Sequence, residues 1–133
     1  MSDFEQISTH SGFMKHNGGL LFKVISETES EFKTKINENH LNRAGITHGG
    51  YIASIIDAGI GTGVHRANKN NIFVTISLDI KFIEPTKIGD EIIGKVKIEK
   101  ITNSLIFASC KIESKNKIIA VGSGVWKRTN NSF

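Results

Sequence analysis

A chain with a single cysteine, Cys110, cannot close a disulfide within itself, and so sparse a use of cysteine fits a reducing compartment. No apolar run reaches the about 18 residues that a membrane-spanning helix needs. The sequence does not open on a basic segment followed by an apolar one, as a secretory signal would. A soluble, cytoplasmic protein is therefore expected. The five histidines form no His-x-x-x-His or Glu-x-x-His pattern with further ligands nearby, so neither a metal nor a cofactor is expected. An arginine-rich block is also missing, and the net charge of +4 comes from lysines spread through alternating patterns. That argues against a nucleic-acid arm and leaves room for an anionic ligand.

There is one proline, and no linker, repeat or low-complexity segment divides the 133 residues, which fit one domain spanning 1–133. Ser2-Asp-Phe-Glu5 matches the Ser-x-x-Glu capping box, so a short helix is expected to begin there and to be broken by Asn17-Gly18-Gly19. Leu20 to Ile25 reads as a strand, with Ser26 to Glu29 as the turn after it. In Ser30 to Ile36, Phe32, Thr34 and Ile36 alternate with Glu31, Lys33 and Lys35, the period-2 signature of a half-buried strand. Asn37 to Thr47 lacks periodicity and reads as an irregular loop.

Beyond a polar stop at Ala67 to Asn71, Val74, Ile76, Leu78, Ile80 and Phe82 fall on one strand face. Thr75, Ser77, Asp79 and Lys81 fall on the other, and Pro85 ends the strand. Three more alternating strands follow, Ile92 to Ile98, Ile106 to Ile112 and Ile119 to Val125. The segments between them, Thr102-Asn-Ser104 and Ser114-Lys-Asn-Lys117, have lengths suited to antiparallel hairpins. Thr129 to Phe133 is expected to be a frayed tail.

Between these strands lies the most informative stretch. From Tyr51 to Val64 almost every residue is apolar or small, and Asp57 is the only formal charge between Arg43 and Arg66. A helix that is apolar on nearly all faces is wrapped by other structure. A lone carboxylate is rarely buried without a partner or a purpose, because lost hydration disfavours its charged form. Two short strands, one long helix and four strands joined by tight turns define an α+β chain. In it, a curved antiparallel sheet covers the helix.

That order of elements, with Asn42-x-x-Gly45-x-x-His48-Gly49-Gly50 and Asp57 nine residues after the histidine, resembles the hotdog-fold acyl-CoA thioesterases of the phenylacetate-degradation (PaaI-like) type. The match extends to Ser77-Leu-Asp-Ile-Lys-Phe82-Ile-Glu-Pro85 and Ile88-Gly89-Asp90, and covers roughly residues 18 to 127. The resemblance implies hydrolysis of a fatty or aryl acyl-CoA thioester to CoA and the free acid. It gives Asp57 the role of general base or nucleophile, the Gly49 N–H that of donor to the thioester carbonyl, and Asn42 a part in placing water or substrate. Thr75 carries the hydroxyl that assists the attacking water in the family, while Ser77 stands where other members have an acidic residue. Substrate contacts are implied for Phe82, Lys100, Asn103 and Ser104, and His48 is a further candidate for one. Lys95, Lys97, Lys100 and Lys111 are the candidates for holding CoA phosphates.

The residues argue for the same chemistry independently. Attack of water on a thioester needs a base for the proton and a donor for the oxyanion. The start of the helix offers unpaired N–H groups at a positive dipole end, and Gly49 lets a ligand approach the backbone closely. Asp57 offers the base. Eight residues separate them, about 12 Å along a helix axis, too far for both to serve one carbonyl. The site should therefore combine Gly49 of one chain with Asp57 of another, in keeping with the homodimers, often paired into homotetramers, that hotdog proteins form.

Blander uses compete for each residue. Asp57 could be a structural carboxylate, Gly49-Gly50 a tight entry turn, and His48 an orienting hydrogen-bonder. His65 reads as a partner of the helix C-terminal dipole, and Cys110 as packing on a strand face. Two other functions remain in view. A hotdog enoyl-thioester hydratase would need a His paired with an Asp or Glu, and no convincing pair is seen. A non-catalytic acyl-CoA binder would bind without turnover.

Overall fold

The structure, a computed structural model, describes residues 3–129. Its elements in chain order are β1 (Glu5–Gln6), α1 (Phe13–His16), β2 (Leu21–Val24), β3 (Glu29–Lys35), a 3-10 turn (Glu38–His40), α2 (Gly49–Ala67), β4 (Ile72–Phe82), β5 (Glu91–Ile101), β6 (Leu105–Ser114) and β7 (Lys117–Thr129). The strands form one seven-stranded antiparallel sheet in the order β1-β2-β3-β5-β6-β7-β4. The chain leaves β3, runs through α2 along the inner face, and returns as β4 at the far edge. It then crosses back to place β5 beside β3. This is the hotdog architecture.

The sheet closes on α2 because both carry apolar residues at matching periods. Ile52, Ile55, Ile56, Ile60 and Val64 recur at helical spacing and are buried, and they meet Phe22, Phe32, Ile92, Ile106, Ile112 and Trp126 from the strands. One contact fixes the rotation of the helix. The Phe32 ring is fully buried and lies between Gly59 of α2 and Gly94 of β5. A methyl group added at either glycine would fall inside the ring's van der Waals envelope. The opposite side of α2 stays half-open, as a stripe of Ala53, Ser54, Asp57, Ala58, Gly61 and Thr62. The helix is therefore wrapped on one side only, and Asp57 is not buried within the chain.

Four expectations change in the structure, three of them local. Glu5 and Gln6 do not continue a helix from Ser2, itself outside the described residues; they pair with Phe22 and Leu21 as a short edge strand. The loop from Asn37 to Thr47 contains the 3-10 turn and a bridge between Leu41 and Thr47. Thr129 is the last residue of β7 and not part of a tail, the rest of which lies outside the described residues.

The correction with most effect is in β4. Thr75 faces Trp126 and Ser77 faces Val125 on β7, so Ile76 is an extra residue in a β-bulge. Strict alternation would put Thr75 on the face away from the helix. With the bulge, Phe73, Leu78 and Ile80 all pack on the core, the Thr75 side chain reaches α2, and Ile76 stands outside at 53% exposure. The remaining hairpins follow their expected turns. Lys115 and Asn116 both take positive φ in the two-residue β6–β7 connection, as a tight hairpin with the sheet's twist requires. No helix among the described residues is long and apolar enough to cross a membrane.

The Phe32 socket yields a stability prediction. Gly59→Ala should destabilise the fold by about 1–3 kcal/mol through overpacking, read as a lower urea midpoint with an unchanged slope. A midpoint equal to the parent's would show that the ring can move aside.

Candidate active site

Helix α2 begins with a cap that sorts its first-turn donors. His48, in extended backbone at φ −64 and ψ 133, accepts a hydrogen bond from Gly50 N on its Nδ1 at 2.7 Å. Its carbonyl oxygen accepts from Tyr51 N and Ile52 N. The Gly49 N–H, at the first helical position, has no partner among the described residues. One donor, and not a whole turn of them, is left aimed outward at the positive end of the helix. Gly50 is required for the cap, because a Cβ there would meet His48 Nδ1 at 2.9 Å. At Gly49 a Cβ would sit 3.5 Å from the Phe82 ring, so Phe82 and the free donor are neighbours.

Asn42 belongs to this end of the helix. Its Oδ1 accepts from Ala44 N at 2.9 Å and Ile46 N at 3.3 Å, which tightens the loop into His48, while its side-chain NH2 has no partner among the described residues. Gly45, at φ +82, supplies the left-handed residue that this turn needs.

A second cluster lies two turns along the same helix. The Thr75 hydroxyl donates to Asp57 Oδ1 at 2.7 Å, so the β4 bulge delivers a donor to the carboxylate on the open stripe of α2. The two clusters occupy one helix and are separated along its axis by the spacing read from the sequence, about 12 Å. Within one chain they do not meet.

The other candidates are placed elsewhere. Asn103 Oδ1 accepts from Arg128 Nη2 at 3.3 Å, and Arg128 N donates to Ser104 O. Lys100, Asn103 and Ser104 thus lie by the last residues of β7, beyond the C-terminal end of α2, whereas Phe82 lies at its N-terminal end. A single chain does not bring them to one place. Lys95 pairs with Glu113, and Lys97 and Lys111 are exposed. His65 is in the last turn of α2 and exposed. Burial pushes the Cys110 thiol up to about 12, so it is no thiolate nucleophile at neutral pH. No group of three or more potential metal ligands occurs among the described residues. A cleft of about 610 Å³ opens at the far end of α2, between Val24, Ser30, Gly63, Arg66, Ile98 and Ile101; neither Gly49 nor Asp57 lines it.

A hotdog sheet around a helix with one free N-terminal donor and one hydroxyl-bonded carboxylate defines the class, and comparison with known proteins supplies the family. The profile of the thioesterase superfamily matches residues 44–120, and the chain belongs to that family. It is a thioester hydrolase with the hotdog fold. Acyl-coenzyme A thioesterase 13 of Mus musculus is 32% identical over 90 residues, 66% of this chain and 64% of that one. The zebra fish thioesterase superfamily member 2 structure superposes with a TM-score of 0.83 at 22% identity, covering 92% of this chain and 90% of the other. The E. coli PaaI protein from the phenylacetic acid degradation operon does so with a TM-score of 0.75 at 18% identity, over 84% and 81% of the two chains.

The loop that carries His48 is also braced from below. Thr47 N donates to Thr86 O, and the buried hydroxyls of Thr47 and Thr86 bond to each other at 2.7 Å. The turn holding Thr86 is closed by Asp90, whose Oδ2 accepts from Lys87 N while its Oδ1 pairs with Lys115. The Lys87 N–H, with Lys115 helping against burial, holds the Asp90 carboxyl below the usual carboxylate range. A depressed native pKa stabilises the fold above the unfolded-state value, near 4, and that stabilisation is lost as pH falls through the native value. Asp90→Asn should therefore lower the thermal midpoint at pH 7, with the gap to the parent closing as pH drops below about 4. A gap of constant size across that range would contradict the assignment.

Proposed function

We propose that the protein hydrolyses acyl-CoA thioesters, fatty or aryl, at active sites shared between two copies of the chain, one supplying Gly49 and the other Asp57. The carrying observation is the pairing of a free helix-N-terminal donor with a Thr75-bonded carboxylate that is too distant to serve the same carbonyl. Acyl-CoA as the substrate class is supported by the relatives named as acyl-coenzyme A thioesterases.

In this reading the thioester oxygen accepts a hydrogen bond from the Gly49 N–H, which stabilises the negative charge that develops on it. Water lies against the carboxylate of Asp57, with the Thr75 oxygen free to accept one of its hydrogens while its own hydroxyl proton is committed to Oδ1. Asp57 takes a proton as the water oxygen bonds to the carbonyl carbon, and the C–S bond breaks to release CoA thiol and the free acid. Direct attack by the carboxylate through an anhydride uses the same two groups. Asn42, with its free NH2, and His48, with its outward ring edge, border the donor. Phe82 offers an apolar wall for the pantetheine, and Lys100, Asn103 and Ser104 reach a site only from another copy.

The surface supports association. β4 is an eleven-residue strand at the sheet edge, and the small-residue stripe of α2 runs beside it, so a second copy can pair along the edge and lay its helix against this one. Pairing of two such dimers gives the homotetramer seen as an option from the sequence. The single buried cysteine fits a cytoplasmic setting.

Two variants test the shared site. Asp57→Asn removes the base and should lower kcat by about a hundredfold or more. Gly49→Pro removes the donor while keeping the helix, because proline is favoured at the first helical position and His48 already has the backbone a preceding residue needs. A drop of about 10²–10³ is expected. Each is inactive alone, but refolding them together should restore about a quarter of parental activity, since half of the two-fold dimers would be mixed and each would hold one intact site. No recovery in verified mixed dimers would sink the two-chain reading, and full activity of a monomer by light scattering would do the same. Thr75→Val should reduce kcat by about tenfold with KM little changed; an unaltered kcat would remove Thr75 from the mechanism.

A further inference from the structure

His40 plays no part in the chemistry above, yet its side chain is buried and held on both ring nitrogens and one face. It ends the 3-10 turn two residues before Asn42 and is 2% exposed. Both ring nitrogens are engaged. Asn37 N donates to Nδ1 at 3.0 Å, and Nε2 donates to Asn17 O at 2.6 Å, which fixes the Nε2–H tautomer and the ring plane. The ring stacks on that of Tyr51, with centroids 3.6 Å apart and planes 13° from parallel. Tyr51 stands in the first turn of α2, and its hydroxyl bonds Thr34 Oγ1 on β3 at 3.1 Å. The main chain of His40 holds the same turn a second way, because its carbonyl oxygen accepts from His48 N at 2.7 Å.

These contacts converge on one peptide group. The Gly49 N–H belongs to the peptide joining His48 to Gly49 and has no partner among the described residues, so its direction is set by its neighbours. His48 is tied to the His40 carbonyl, and Tyr51 to the His40 ring. The seven residues between His40 and His48 include the Asn42 turn, so the same residue closes the base of the loop that presents the Asn42 amide. A phenylalanine could stack on Tyr51, but it would leave Asn37 N and Asn17 O without their partner. An aliphatic residue would lose the stack as well.

We propose that His40 is the positioning residue for the Gly49 donor: held from α1 and the 3-10 turn through its two nitrogens, it sets the first turn of α2 through stacking on Tyr51 and through its carbonyl. It touches no substrate. The proposal rests on Gly49 being the oxyanion donor, and its tests are arranged so that the two can fail separately.

On the parent protein, long-range 15N–1H correlation of the imidazole at neutral pH should show an unprotonated Nδ1 and a protonated Nε2. The opposite tautomer, or a doubly protonated ring, would overturn the proposal without any variant. His40→Phe keeps a ring over Tyr51 and removes the two polar ties. Well below its melting temperature it should show a shifted or broadened Gly49 amide resonance, and a kcat lower by about ten- to a hundredfold, the range expected for a displaced catalytic group, with KM within about twofold. A purely structural histidine would lower the melting temperature and leave kcat and the Gly49 resonance at parental values, and that result refutes the idea. Should His40→Phe fail to fold, Thr34→Val frees Tyr51 from β3 at a half-exposed position. It should lower kcat by about threefold at constant KM, and parental kcat there counts against the proposal. If the parent hydrolyses no acyl-CoA, the functional reading fails, while the imidazole tautomer and the Gly49 resonance still decide whether His40 positions that amide.

Discussion

The seating of Phe32 between Gly59 and Gly94 is the constraint on which the rest of the structure depends. At neither glycine is there room for a Cβ beside the ring, so the contact holds α2 in one rotation about its axis. With that rotation set, the isoleucines at 55, 56 and 60 turn inward and Asp57 turns toward β4 and the outside. A helix rolled by one residue would bring the carboxylate toward the core, at a desolvation cost that no partner there offsets. Apolar packing on one side of α2 thus decides where the charged group on its other side can act.

At the N-terminal end of the helix, the economy of hydrogen bonding does the equivalent work. Four backbone donors begin any α-helix without partners. Here three find partners, the His48 N–H on the His40 carbonyl and those of Gly50 and Tyr51 on His48, and the one left over, that of Gly49, lies beside the Phe82 ring without a partner among the described residues. Specific chemistry arises by subtraction: a general property of helix ends becomes one directed donor because its neighbours are satisfied.

Much of this was legible in the residues. Strand periods gave the sheet, the isolated charge in an apolar run singled out Asp57, and the spacing from Gly49 to Asp57 already set the two about 12 Å apart on one helix. What escaped was what depends on contacts between distant segments. The bulge at Ile76 cannot be read from alternation, since Val74, Ile76 and Leu78 keep perfect period through it; only pairing with β7 reveals the extra residue and turns Thr75 toward Asp57. His40 went unnoticed because its significance lies in Asn17, Asn37 and Tyr51, partners that no local pattern links to it. A histidine immediately before an apolar helix could have been read as a cap, and His48 is one. The capping box at Ser2 misled for the opposite reason. A local signal for a helix is weak beside the ladder that β2 offers to Glu5 and Gln6.

The long edge of β4 has a consequence outside catalysis. β4 pairs with β7 on one side only; the outer side of its eleven residues meets no strand among the described residues and, with Ile76 pushed outward by the bulge, makes a template onto which an extended chain can add. Natural proteins usually shorten, charge or cover such an edge. Under the proposed function the covering is the same strand of another copy, so association would shield the edge as well as complete the site. Dilution or interface damage would then be expected to cost the protein its colloidal stability together with its activity. Selection acting on the interface would be unable to separate the two.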